Sequence, residues 1–274
     1  MQITSIKGAK GAISVPACSL WPYKFVSQLL AGLVQKKLVN LQVRTPVTEV
    51  HDEGKFSIIQ TPRGTIKARK VIFATNAYTG GLCNTYYDKI VPYKGTAVHI
   101  APRMPISPHL SNTYNISYKP KGLGVDYLNP RPDGGIIVGG GKWTYADDKS
   151  SWFNNWDDST LLPSVQPHFS SLMQRHFMGW EKSDSKIDSI WTGIQGLTAD
   201  ERPHVGEVPG KEGRHYVLAG FNGGGMAMIF LCAKGIAHMV SRGGSYEATA
   251  LPMMFKTTKE RLGASASQLY QTRA

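Results

Sequence analysis

The hydrophobic pattern changes period along the chain. Residues 23–38 place Phe25, Leu29, Leu33 and Val34 on one side of a 3.6-residue wheel. This predicts an amphipathic helix with Lys36 and Lys37 in its last turn, where cations suit the dipole. Residues 40–68 shorten to period 2 and predict an antiparallel meander. Its strands are Leu41-Gln42-Val43, Thr48-Glu49-Val50, 56–61 and 65–68, with turns at Asp52-Glu53-Gly54 and Pro62-Arg63-Gly64. Residues 70–79 then form an apolar run that ends in small and polar residues, as a buried parallel strand would.

Residues 80–87 read as a loop. Strand patterns follow at 94–100, 122–128 and 135–140, the last two joined by the turn signal Asn129-Pro130-Arg131-Pro132-Asp133-Gly134. Residues 143–158 read as a loop, and 161–177 as helix broken near Pro167. Ser189-Ile190-Trp191-Thr192-Gly193 begins a return. Near the end, 215–219 form a short apolar strand and Gly220-Phe221-Asn222-Gly223-Gly224-Gly225-Met226 a glycine-dense turn. Residues 227–240 follow as a helix apolar nearly all round, capped by Gly243-Gly244. The tail beyond Leu262 is expected to fray. The fold class is mixed α/β, with parallel and antiparallel portions.

The glycine turn carries the chemistry. Glycines between a strand and a helix start let a ligand approach bare backbone. The first helical amides are unpaired and sit at the positive end of the dipole. Such a turn holds a phosphate, a carboxylate or an electron-rich ring carbonyl. Its order, G-x-x-G-G-G, is not G-x-G-x-x-G, and a purely structural turn is the competing reading.

Several motifs in order resemble the D-amino-acid oxidase, glycine oxidase and sarcosine oxidase superfamily of FAD-dependent oxidoreductases, with fungal members nearest. They are Pro16-Ala17-Cys18-Ser19-Leu20-Trp21-Pro22-Tyr23-Lys24, Thr45-Pro46-Val47-Thr48, Ala74-Thr75-Asn76-Ala77-Tyr78-Thr79, Asp200-Glu201-Arg202-Pro203-His204-Val205-Gly206 and Ala219-Gly220-Phe221-Asn222-Gly223. The resemblance implies a discontinuous FAD-binding half (residues 1–89 and 189–274) and an antiparallel substrate half (90–188). It implies that Val47 meets the adenine and that Ala74, Thr75 and Asn76 run beside the nucleotide. Gly220, Phe221, Asn222, Gly223, Gly224, Gly225 and Met226 would aim amides at the flavin's pyrimidine edge. The flavin is noncovalent, because the position of the sarcosine oxidases' cysteine falls near Gly193. His99, Tyr127, Lys142 and Trp191 are substrate-pocket candidates, with packing or surface placement as the competing reading. No catalytic acid–base group is assigned.

The departure is at the start. Family members open with a strand, a G-x-G-x-x-G turn, a helix and an acid-tipped strand, none of which this chain contains. The expectation is therefore a truncated FAD-binding half. The leading activity is oxidation of a C–N bond in an amine or amino-acid-like substrate by hydride transfer to flavin. The alternatives are a relative without FAD (a cyclase, an isomerase or a binding protein) and one part of a two-part flavoenzyme. A homo-oligomer or a partner chain is expected to cover the truncated sheet.

Composition narrows the rest. At 274 residues with 41% hydrophobic content, the chain can bury a substantial core. The net charge of +12 comes from scattered lysines and arginines without a nucleic-acid motif, so it favours anionic small molecules over nucleic acid. Residues 226–240, interrupted by Lys234 and His238, fall short of the roughly 20 residues of a membrane span. No secretory pattern is read, so no membrane partner and a cytoplasmic location are expected. Cys18, Cys83 and Cys232 lack metal-like spacing and read as free thiols, with no metal site.

Overall fold

Pro22 opens the first helix at a position where its missing amide is harmless. In the computed structural model, which describes residues 4–107, 109–118 and 124–266, α1 spans Pro22–Gln35. It ends before Lys36 and Lys37, because Lys37 adopts a left-handed φ of 56°. Both lysines therefore lie beyond the helix. The apolar side expected to pack does not: Phe25 is 54% and Leu29 52% exposed.

The chain forms two compact units. One holds residues 4–44, 96–107, 109–118, 124–146 and 161–192, and the other 45–95, 147–160 and 193–266. The second unit begins with the meander β1 (Glu49–Glu53), β2 (Phe56–Thr61) and β3 (Gly64–Ala68), paired antiparallel in sequence order. The register Glu53↔Phe56 leaves only Gly54 and Lys55 in the hairpin turn, with φ +59° at Gly54. Residues 41–43 are irregular rather than a strand.

β4 (Val71–Phe73) is shorter than its apolar run. The left-handed Asn76 (φ 45°) turns the chain into a single 3-10 turn and then α2 (Thr79–Leu82), where a loop was expected. β4 lies at the edge of a three-stranded sheet ordered β10-β11-β4, in which β4 and β11 are parallel. Ile72 is 45% exposed, so this strand is not buried on both faces as the sequence suggested.

β5 (Ile90–Ala101), β6 (Tyr114–Ser117), β7 (Val125–Pro130), β8 (Ile136–Gly139) and β9 (Lys186–Thr198) form a sheet ordered β6-β7-β8-β5-β9. β6 was missed, and residues 122 and 123 of the expected strand lie outside the described residues. α3 (Lys149–Trp152) lies in the expected loop. The helical stretch divides into α4 (Val165–Ser170) and α5 (Leu172–His176). The break falls at Ser171 rather than at Pro167, which sits in the first turn of α4 and so costs no hydrogen bond.

β10 (His204–Glu207) pairs antiparallel with β11 (His215–Ala219), and α6 (Gly225–Arg242) follows. Gly243 caps α6 at φ +65°. Cys232, Ile236 and Met239 of α6 pack with Val205, Tyr216, Leu218, Phe221 and Tyr246. Beyond Leu262, Ala266 is buried and donates its amide to the Asp88 carbonyl at 3.0 Å, so this part of the tail is tied down; residues 267–274 lie outside the described residues. Among the described residues, no helix is long and apolar enough to cross a membrane.

Candidate functional site

In the second unit, the buried β11 delivers the chain to Gly220. There φ is +72°, and an added Cβ would lie 2.5 Å from Thr198 Cγ2, so conformation and space both require glycine. Gly220 and Phe221 donate their amides to Asn76 Oδ1 at 3.0 and 3.1 Å. The Asn222 amide reaches the Gly196 carbonyl at 2.9 Å, and that of Gly224 the Phe221 carbonyl at 3.2 Å. The Asn222 side chain holds Thr198 through its amide, at 3.0 Å, and its hydroxyl, at 3.1 Å.

The seven residues read as one group therefore divide. Gly220, Phe221, Asn222 and Gly224 spend their amides inside the protein. Gly223, Gly225 and Met226 lie outside that network at the start of α6. Gly223 is exposed, and an added Cβ there would meet nothing within 4 Å.

Ala74 and Thr75 are exposed just beyond β4, and Asn76 ties that strand end to the turn after β11. Thr75 Oγ1 lies 2.9 Å from Thr79 Oγ1. Val47 is half-buried in the segment before β1. Open backbone at Gly223 beside first-turn amides fits an electron-rich ring edge such as the ring end of a flavin. Among the described residues, no second glycine turn joins a parallel strand to a helix start, so the fit covers the ring end and not the pyrophosphate.

A cluster in the same unit was not read from the sequence. His215 Nε2 lies 2.7 Å from Ser57 Oγ and 3.2 Å from Asp52 Oδ1, while Ser57 Oγ donates to that same carboxylate oxygen at 2.9 Å. These are the residue types of a nucleophilic triad, but serine and carboxylate share one imidazole nitrogen. A relay needs them on opposite nitrogens. Ser57 is also fully buried. Lys211, at 2.5 Å, and Arg214, at 3.3 Å, neutralise Asp52 Oδ2. Burial raises the Asp52 pKa, but the hydrogen bonds from Lys211 and Ser57 outweigh it and leave the carboxyl below its usual range. Burial likewise lowers the His215 pKa. The cluster pins the meander to β11.

In the first unit, the pairings His99↔Ile137 and Tyr127↔Gly139 put His99 and Tyr127 on one sheet face in adjacent rows. The Tyr127 ring lies over Gly139, where an added Cβ would be 2.1 Å from its hydroxyl oxygen. His99 Nδ1 is 2.7 Å from Asp188 Oδ1. Its Nε2 is buried without a hydrogen-bond partner among the described residues, and a Cβ on Gly135 would lie 2.1 Å from it. The pair has the composition of a base dyad, but its second nitrogen faces strand backbone. Strand alternation puts Trp191 on the face opposite Asp188, and Lys142 lies in a 3-10 turn after β8. The structure thus groups His99 with Tyr127 and sets Trp191 on the other face.

Known proteins agree on the family. The family model described as FAD dependent oxidoreductase matches residues 2–239. Glycine oxidase of Bacillus subtilis (strain 168) is 24% identical over 177 residues, 60% of this chain and 39% of that protein. D-amino acid dehydrogenase of Cereibacter sphaeroides (strain ATCC 17029 / ATH 2.4.9) is 27% identical over 194 residues, 68% of this chain and 39% of that protein. The solved glycine oxidase from Geobacillus kaustophilus superposes with TM-score 0.60 at 20% identity, covering 78% of this chain and 52% of its own. Iminodiacetate oxidase from Chelativorans sp. BNC1 gives TM-score 0.64 at 14% identity, covering 86% and 58%. The chain thus spans about two fifths of the length of these curated relatives. With its model matched over most of the sequence, the chain belongs to the FAD dependent oxidoreductase family.

Proposed function

We propose that this chain forms the substrate sheet and the ring-facing turn of an FAD-linked oxidoreductase that oxidises a C–N bond in an amine or amino-acid-like substrate. The observation that carries this reading is the open backbone at Gly223, beside amides that meet no backbone acceptor among the described residues and beside the exposed strand end Ala74-Thr75. The names of the glycine oxidase and D-amino acid dehydrogenase relatives support an amino-acid-like substrate. Bound there, FAD would supply the hydride acceptor.

The chain's own residues would position and stabilise. The Gly223, Gly225 and Met226 amides, at the positive end of α6, favour negative charge at the ring edge. Tyr127 presents a half-exposed ring to substrate on the antiparallel sheet. His99 takes no substrate proton, because Asp188 holds its Nδ1 and its Nε2 is buried against Gly135.

One observation favours the alternative, a relative that binds no FAD: Asn76 already satisfies the Gly220 and Phe221 amides, as a purely structural turn would require. A flavin-fluorescence titration of the purified chain separates the two. The FAD-linked reading expects a colourless preparation, weak saturable quenching by added FAD, and loss of that quenching in Gly223→Val. Absence of quenching in the parent chain, even at high FAD, selects the non-redox reading.

A further inference from the structure

The first unit carries a second polar cluster, on the face of β7 opposite Tyr127. Asp126 is fully buried there. Its Oδ1 accepts the Gly141 amide at 2.8 Å. Its Oδ2 accepts the Tyr118 hydroxyl at 3.0 Å and His168 Nε2 at 2.8 Å. Burial, and then the charge of Asp126, raise the Tyr118 pKa, so the phenol keeps its proton and remains a donor. The other nitrogen of His168 faces the Arg175 Nη2 donor at 3.3 Å and accepts from it, while Nε2 faces Asp126. The carboxylate is therefore satisfied by three donors.

Around this cluster the rings of Tyr118, Trp143, His168 and His176 form a wall. Their centroids lie 5.1 Å apart for Tyr118 and Trp143, 5.2 Å for Tyr118 and His176, and 4.8 Å for Trp143 and His168. With Gly124 and Arg175 they line a cavity of about 190 Å³. A cavity of about 150 Å³ suffices for benzene, so this one suits a single ring or a branched alkyl group.

Two groups of the lining residues are unspent. His176 Nε2 is closed off from solvent and has no hydrogen-bond partner among the described residues. Burial, then the neighbouring Arg175 charge, lower the His176 pKa and keep the ring neutral. Arg175 donates from Nη2 to the His168 carbonyl at 2.8 Å and from Nε to the Ser171 carbonyl at 3.4 Å. Its Nη1 makes no hydrogen bond, and its guanidinium meets no carboxylate, among the described residues.

We propose that this cavity binds a small organic acid with a ring-sized apolar group. The apolar group lies among the four rings, and the carboxylate meets the unspent edge of the exposed Arg175. A cation in an aromatic cage fits less well, because Asp126 is already satisfied and the uncompensated charge at the cavity is the guanidinium. This site lies on the other face of the sheet from Tyr127 and does not depend on the flavin reading.

Titration of the full chain with phenylacetate, followed by tryptophan fluorescence and saturation-transfer NMR, tests it. Saturable binding is expected, with phenylacetamide and benzyltrimethylammonium at least about ten-fold weaker because they lack the charge-assisted contact. Arg175→Gln should weaken phenylacetate by a similar factor, and Trp143→Leu should also weaken it. Circular dichroism verifies that each variant is folded. If Arg175→Gln does not fold, the comparison of phenylacetate with phenylacetamide on the parent chain decides. No saturation, a preference for the cation, or equal binding of acid and amide overturns the proposal.

Discussion

Asn76 Oδ1 accepts two consecutive backbone amides, Gly220 at 3.0 Å and Phe221 at 3.1 Å. One side chain beyond β4 thereby fixes the turn after β11. Its left-handed φ of 45° is tolerated by asparagine better than by most residues. Each buried amide left without an acceptor costs about 1–3 kcal/mol. Asn76→Ala should therefore lower the unfolding free energy by roughly 2–4 kcal/mol. Asn76→Asp, which keeps an acceptor, should lose less than half as much. Urea denaturation of the three proteins measures both, and equal stability of Asn76→Ala and parent would show that the clamp contributes nothing.

Two glycines of the same turn should respond oppositely to a side chain. Gly220→Val meets Thr198 at 2.5 Å and a left-handed φ of +72°, so it should fold poorly or not at all. Gly223→Val meets nothing within 4 Å, and its φ is not in the left-handed region. It should keep parental stability while closing the open backbone. Thermal melts separate the pair. A large loss of stability in Gly223→Val would show that this position is packed rather than open.

The legible parts of the sequence were those set by local rules. Residues 56–61 and 215–219 alternate or run apolar between strong turn signals and became β2 and β11 with the expected bounds. The start of α1, read at residue 23 from the hydrophobic period, fell one residue from its place at Pro22. Long-range contacts were not legible. Asp52 and Ser57 are only five residues apart, but their partner His215 is 158 residues from Ser57, and no pattern announces that meeting. Asp126 looked like any polar position of a half-exposed strand and became a buried carboxylate held by Gly141, Tyr118 and His168. Asn76 was read as a nucleotide neighbour, and nothing in its local sequence signalled a clamp on Gly220. β4 stopped early because a single left-handed residue redirects the backbone, which propensity does not encode.

His204 gives a pH prediction. It is buried, with Nδ1 3.2 Å from Thr257 Oγ1 and its ring edge-on to Tyr86. Burial, and then the charge of Arg261, push its pKa down to about 3. The unfolded chain binds this proton near pH 6.5, so between pH 6.5 and 3 it holds more protons than the fold does. Stability present above pH 6.5 is therefore lost on acidification, by roughly 3 kcal/mol at pH 4 from this group alone. His204→Phe should flatten the stability profile between pH 4 and 6.5, as read by urea midpoints at each pH. An unchanged slope would mean that His204 titrates normally.

The last prediction concerns α6. Cys232, Ile236 and Met239 are buried, but Met226, Phe230, Ala233 and Ala237 recur at i, i+4, i+7 and i+11 on another side and are exposed. Phe230 is 67% and Met226 63% exposed, with Ile229 and Leu231 beside them. In the same unit β4 pairs only with β11 among the described residues, which leaves its other edge open. Apolar helix surface and an open parallel edge in one unit favour association. The purified chain should self-associate, with a light-scattering mass that rises with concentration. Burying one large apolar side chain contributes about 1.5–3 kcal/mol. Met226→Glu combined with Phe230→Glu should then weaken association by on the order of 100-fold or more, while circular dichroism stays unchanged. A parent chain that remains monomeric at all concentrations, or a double variant that associates as strongly as the parent, would remove this surface as the contact.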